Sequence, residues 1–218
     1  MLALYGHPFS SYTWKAQIAL HSLRLEYDLR VIDADHPQHQ AFVQTDGGPL
    51  GKFPVLVDGE AVIFETTAII EYLNEHHAGD SALLPTQPDA AIGMRMLDRV
   101  FDNYVMEPAQ IVVSEYMRSP ENPDQARCEE ARGRLRRTYA WLEGWLEHYY
   151  YADGGVTLIE CAAAPALFYA DWIEQIGEEL PRLKAWRAHL LALPEVSRCV
   201  EAARPFRPYF PPGAPDRD

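Results

Sequence analysis

Tyr5-Gly6-His7-Pro8-Phe9-Ser10-Ser11-Tyr12-Thr13-Trp14 is the stretch from which the rest of the chain can be read. The apolar residues before it, Met1 to Tyr5, make a short run that fits a buried strand. Gly6, His7 and Pro8 end that strand, since glycine admits positive φ and proline removes a backbone donor. Ser10 and Ser11 then stand where a helix begins, ahead of Ala16, Ala19, Leu20 and Leu23 at helical spacing. A serine there lies among unpaired N–H groups at the positive end of the helix dipole. It can cap the helix, which is the commoner use of such a serine. It can also help hold an anion, of which a thiolate is one.

Outward from this stretch, residues 1–78 alternate strand and helix. Strand 2–5 is followed by a helix over about 10–24, a strand over 27–32 and a short helix over 36–45. Pro54-Val55-Leu56-Val57 and Ala61-Val62-Ile63 read as two strands around the turn pair Asp58-Gly59. A helix over about 65–77 turns Ile69, Ile70 and Leu73 inward. The order is βαβαββα, and the tight third connection makes the sheet mixed, an α/β domain.

Residues 79–88, ending Leu84-Pro85-Thr86-Gln87-Pro88, carry the turn formers of a linker, and residues 89–218 read as all-helical. Leu97, Phe101 and Tyr104 mark one helix, which Pro108 is expected to kink. Leu135, Tyr139, Leu142, Leu146 and Tyr149 mark another. Thr157-Leu158-Ile159-Glu160 has the form of a capping box. Pro181 and Pro194 suit first turns of helices. From Pro205 the tail is proline-rich and irregular, either packed through Phe206, Tyr209 and Phe210 or frayed.

The chain has 218 residues, 48% hydrophobic and 23% charged, enough to bury a sizeable core. A net charge of −13 argues against non-specific binding to nucleic acid or to anionic membranes. Cys128, Cys161 and Cys199 form neither a disulfide framework nor a zinc pattern, which favours a reducing compartment. Met1 runs straight into the first strand and no apolar run approaches the length of a membrane span, so a cytoplasmic protein is expected. Gly47 to Lys52 imitates a P-loop, but Phe53 stands where a magnesium-binding hydroxyl is needed. His36/His39 and His76/His77 lack the further ligands of a metal site, and no metal is expected.

Taken in order, three motifs resemble the cytosolic glutathione transferase family over residues 1 to about 203: Gly6-His7-Pro8-Phe9-Ser10, Gly51-Lys52-Phe53-Pro54-Val55 and Phe64-Glu65-Thr66-Thr67-Ala68-Ile69. The first is similar to the active-site segment of the serine-type classes (phi, tau and zeta). The resemblance implies a thioredoxin-like N-terminal domain, a helical bundle after it, glutathione as cosubstrate and a homodimer. It implies a cis peptide bond at Pro54, although an X-Pro bond is cis in only about 5–6% of folded cases. It assigns glutathione binding to Lys52, Pro54, Val55, Glu65, Thr66 and His39. Thr66 stands where relatives usually carry Ser, and keeps the hydroxyl.

The implied chemistry is a hydrogen bond from Ser10 to the glutathione sulfur, which favours the thiolate for attack on a small hydrophobic electrophile. Ser11 is the first runner-up and Tyr5 the second, with Tyr12 and Thr13 as further hydroxyls nearby. The segment holds no cysteine, which sets aside the omega-like thiol-transfer mechanism. Ser10-Ser11-Tyr12 replaces the Ser-Ser-Cys run of zeta-type isomerases, which counts against that activity. An electrophile pocket lined by Phe9, Phe101, Tyr104, Tyr116 and Trp172 is expected between the domains, though aromatics at helical spacing are more often core. Two other readings share the motifs: a non-catalytic binding or regulatory relative, and a glutathione-dependent peroxidase or disulfide reductase.

Overall fold

A computed structural model describes residues 1–79, 81–149 and 155–218. Internal contacts divide it into two compact units, Met1–Arg95 with Val156–Cys161, and Met96–Gly155 with Ala162–Asp218. Asp80, in the expected linker, lies outside the described residues.

The first unit runs β1 (Leu2–Gly6), α1 (Ser11–Ser22), β2 (Tyr27–Val31), α2 (Pro37–Asp46), β3 (Val55–Asp58), β4 (Ala61–Phe64) and α3 (Thr66–His77). The sheet order is β2-β1-β3-β4, with β1 and β2 parallel and both remaining pairs antiparallel. The expected βαβαββα order and mixed sheet are what the chain adopts. Alternation along β1 sends Ala3 and Tyr5 to one face, where they pack with Val43 of α2 and Val55. On the other side of the pleat Leu4 and Leu56 are fully buried, and α1 and α3 pack on each other.

Local chemistry sets the boundaries. Ser10 caps α1. At the other end Leu25 N–H bonds Leu20 O and Arg24 N–H bonds His21 O, with Arg24 at φ 54, a Schellman closure made without glycine. The hairpin turn falls on Gly59 and Glu60, one residue later than expected, because Asp58 pairs with Ala61 and Gly59 takes φ 60.

The remaining helices are α4 (Pro88–Val100), α5 (Glu107–Arg118), α6 (Gln125–Trp145), α7 (Leu158–Ile173), α8 (Pro181–Ala192) and α9 (Pro194–Ala203). Among the described residues no strand follows α3. Near Pro108, where the sequence predicts a kink, a π-helical segment, Phe101–Met106, joins α4 to α5. A proline lacks the N–H for the carbonyl four residues back and collides with it, and the wider π turns relieve both problems. The capping box forms: Ile159 N–H donates to Thr157 Oγ1 at 3.2 Å and Thr157 N–H to Glu160 Oε2 at 2.9 Å.

The tail packs. A 3₁₀ segment, Arg204–Tyr209, leads to Phe210, which is buried with its ring 5.1 Å from that of Trp172. Tyr209 is 75% exposed and takes no part. The anchors that hydropathy could not show are ionic: Arg217 Nε donates to Asp171 Oδ2 at 3.0 Å, and Arg207 Nη1 to Asp218 Oδ1 at 2.6 Å.

Candidate functional site

Register gathers the motifs. Arg30, Tyr5, Val55 and Phe64 form one row across the four strands. The ends of β1, β2 and β4 and the start of β3 therefore lie along one edge of the sheet. From that edge leave the His7–Ser10 turn, the Phe53–Pro54 bond and the Glu65–Thr66 pair. His39 is tied to it as well, its Nδ1 2.8 Å from Val31 O. A carbonyl partner makes Nδ1 the donor and leaves Nε2 as the other polar atom of the ring.

The entry to α1 is braced from several sides. Ser10 N–H donates to His7 O at 2.9 Å, Phe9 N–H to His7 Nδ1 at 3.1 Å, and Trp14 Nε1 to Pro8 O at 2.6 Å. His7 N–H reaches Thr13 Oγ1 at 3.2 Å. Gly6 is needed for space and not for φ: a Cβ there would lie 2.6 Å from the Thr13 side chain. Ser10 Oγ accepts from Thr13 N–H at 3.3 Å. That bond uses a lone pair, so the serine O–H remains a donor for something else. Helix geometry also leaves the Ser11 N–H outside the intrahelical ladder. Burial pushes the His7 imidazole below its ordinary value, partly offset by the Asp33 carboxylate, and so favours the neutral ring that can accept Phe9 N–H.

At the second helix entry Glu65 is exposed and adopts φ 65, ψ 114, a conformation that an L residue holds at a cost of about 1–3 kcal/mol. Its carbonyl accepts Ile69 N–H at 2.9 Å, so α3 starts although the Glu65 side chain makes no cap bond. Thr66, the first helical residue, is buried at 7% exposure. The Phe53–Pro54 bond is cis, as the resemblance implied. An exposed carboxylate, a buried hydroxyl and a helix start at one edge form a place that can bind a group carrying both charges.

Family comparison bears directly on this edge. The glutathione S-transferase N-terminal domain matches residues 4–81, and the glutathione S-transferase C-terminal domain matches residues 105–194. The chain belongs to the glutathione transferase family. It is similar to glutathione S-transferase F6 of Arabidopsis thaliana, 26% identical over 91% of this chain and 99% of that one. It is also similar to a stringent starvation protein A homolog of Coxiella burnetii, 28% identical over 77% of this chain and 75% of that protein. Among solved structures it resembles glutathione S-transferase III in its apo form, at 26% identity and a TM-score of 0.76 over 92% of this chain and 96% of that one.

For a glutathione transferase, whose cosubstrate is glutathione, the expected hydroxyls separate clearly. Tyr5 is drawn to the α2 face: its phenol accepts from Arg30 Nη1, and its ring stacks on Phe42 at 4.4 Å and meets His39 edge-on at 5.7 Å. Thr13 is fully buried and serves the turn. Ser11 is buried at 6% exposure, while Ser10 is half-buried at the cap. Lys52 is exposed in the loop before cis-Pro54. All three cysteines are buried, and burial pushes the Cys199 thiol up to about 12, away from nucleophilic use.

The aromatic residues expected to line an electrophile pocket part company. Phe101 is fully buried with its ring 5.7 Å from that of Trp186, a core position in the helical unit. Trp172 is buried among Phe168, Tyr169 and Phe210 beneath the Arg207 guanidinium. Tyr104 is 56% exposed, and Phe9 and Tyr116 are half-buried. Helical spacing alone cannot tell a lining aromatic from a core one, because both face inward. The residue that the sequence signals passed over is Lys15, an ammonium with 1% exposure in the middle of α1. Among the described residues no group of three or more His, Cys, Asp or Glu could hold a metal ion.

Proposed function

We propose that the chain is a glutathione transferase in which Ser10 stabilises the cosubstrate thiolate for attack on a small hydrophobic electrophile. The observation that carries this reading is the Ser10 cap, which takes Thr13 N–H with a lone pair; the serine O–H can then serve as a donor to the sulfur. Thiols fall from about 8.5 into roughly the 3.5–7.5 range in such settings. A charge-assisted hydrogen bond contributes about 1.5–3 kcal/mol net. At about 1.4 kcal/mol per unit, that accounts for one to two units of the fall. Ser10 donates a hydrogen bond and is not the nucleophile, so it needs no general base.

In this reading the γ-glutamyl group lies at the α3 entry, its carboxylate on Thr66 and its ammonium facing Glu65. The cysteinyl backbone pairs with Val55 beside cis-Pro54, in the manner of an added strand. Lys52 and His39 Nε2 receive the glycyl carboxylate. Conjugation of an aryl halide, or reduction of a peroxide or disulfide, would follow from the same thiolate. The protein works as a homodimer, which sedimentation at micromolar concentration tests. The decisive experiment is turnover of an aryl halide with glutathione, compared with Ser10→Ala.

The likeness to the Coxiella stringent starvation protein A homolog favours one second reading, a glutathione-binding regulatory protein without turnover. Tight binding of glutathione with no conjugation, peroxidase or disulfide-reductase activity would select it.

A further inference from the structure

Lys15 lies five residues beyond Ser10 on α1 and is 1% exposed. A buried ammonium is costly unless its donors are bonded, and an apolar side chain of similar length would fill the same volume without desolvating a charge. Its Nζ donates to Thr67 Oγ1 at 3.3 Å. Thr67 sits next to Thr66 in the first turn of α3. The bond therefore ties together the two helices whose entries carry Ser10 and the Glu65–Thr66 pair, and these helices pack on each other.

We infer that Lys15 is a positioning residue of the glutathione site. It holds the first turn of α3 in register with α1, so that one tripeptide reaches the Ser10 hydroxyl and the Thr66 hydroxyl at the same time. This rests on the glutathione reading above, and the lysine itself touches no substrate. A flexible ammonium stem on a fully enclosed helix face is a poor choice for packing alone. It is a good choice for fixing the distance between two helices, because its donors are directional.

The test is calorimetric affinity for glutathione in Lys15→Met, Lys15→Arg and Thr67→Val, with thermal unfolding measured alongside. Losing a hydrogen bond from a charged donor should raise Kd about tenfold in Lys15→Met. Thr67→Val, which keeps the ammonium and removes only the acceptor on α3, should move Kd in the same direction. Lys15→Arg should restore most of the affinity. A lysine of purely structural importance would lower the unfolding temperature and leave Kd of the folded protein unchanged. Kd within twofold of wild type in both Lys15→Met and Thr67→Val overturns the inference, as does a rise confined to Lys15→Met. Should Lys15→Met fail to fold, Thr67→Val decides alone. If the unmodified protein does not bind glutathione, the functional reading falls and this inference with it; if it binds and the variants match it, only the inference falls.

Discussion

The Ser10 hydroxyl oxygen accepts the backbone N–H of Thr13 at 3.3 Å. Capping and thiol activation are thus compatible uses of one side chain, since the first takes a lone pair and the second takes the proton. The variants that separate them follow directly. Ser10→Gly keeps a tolerable cap, whereas Ser10→Ala costs about 0.5–2 kcal/mol of stability. Both should leave glutathione affinity within several-fold and raise the pKa of the bound thiol equally. Ultraviolet titration of the thiolate measures this, and an unmoved titration in both variants would transfer the role to Ser11.

Thr66 is buried at the start of α3 beside the exposed Glu65 carboxylate. Thr66→Val preserves its shape and removes its hydroxyl, leaving a substrate carboxylate with one donor fewer. Loss of a hydrogen bond to a charged group should weaken glutathione binding by about 1.5–3 kcal/mol. Thr66→Ser should retain wild-type affinity. Calorimetry gives both values, and equal affinity in Thr66→Val rules out the assigned contact.

His7 must be neutral to accept Phe9 N–H at Nδ1, and burial depresses its pKa below the ordinary 6.5. The unfolded chain therefore takes up the His7 proton at a higher pH than the folded one. The stability from this bond is complete above about 6.5 and is lost as pH falls through the lower folded-state value. Urea unfolding at a series of pH values should show that loss. His7→Asn, which offers an acceptor that does not titrate, should flatten the profile in that window.

Asp171 gathers the tail. Its Oδ1 accepts Ile176 N–H at 2.8 Å, and its Oδ2 faces Arg217 at 3.0 Å and the largely buried Arg187 at 3.6 Å. Asp171→Ala leaves the Arg187 guanidinium, which burial already pushes below its ordinary value, with its countercharge removed. That substitution should cost about 3–5 kcal/mol. Arg217→Ala removes a partly exposed partner and should cost about 1 kcal/mol or less. Denaturant unfolding of the two variants orders them, and equal costs would mean that the buried pair is not what Asp171 supports.

The order of strands and helices, the mixed sheet, the Ser10 cap, the capping box at Thr157 and the helical second half were all legible in the chain, because each depends on neighbours within a few residues. Periodicity, caps and turn formers are local properties and survive in one dimension. Tertiary structure alone showed how the hydroxyls near the helix entry are engaged: Ser10 caps α1, while Tyr5 meets Arg30 of another strand and Phe42 and His39 of another helix. The same holds for Phe101 and Trp172, drawn into aromatic cores, and for Gly6, required by the distant Thr13 side chain rather than by its own backbone. Contacts between residues far apart in sequence are set by how faces pack, and a buried ammonium such as Lys15 reads as an ordinary surface charge until the helix opposite it is in place.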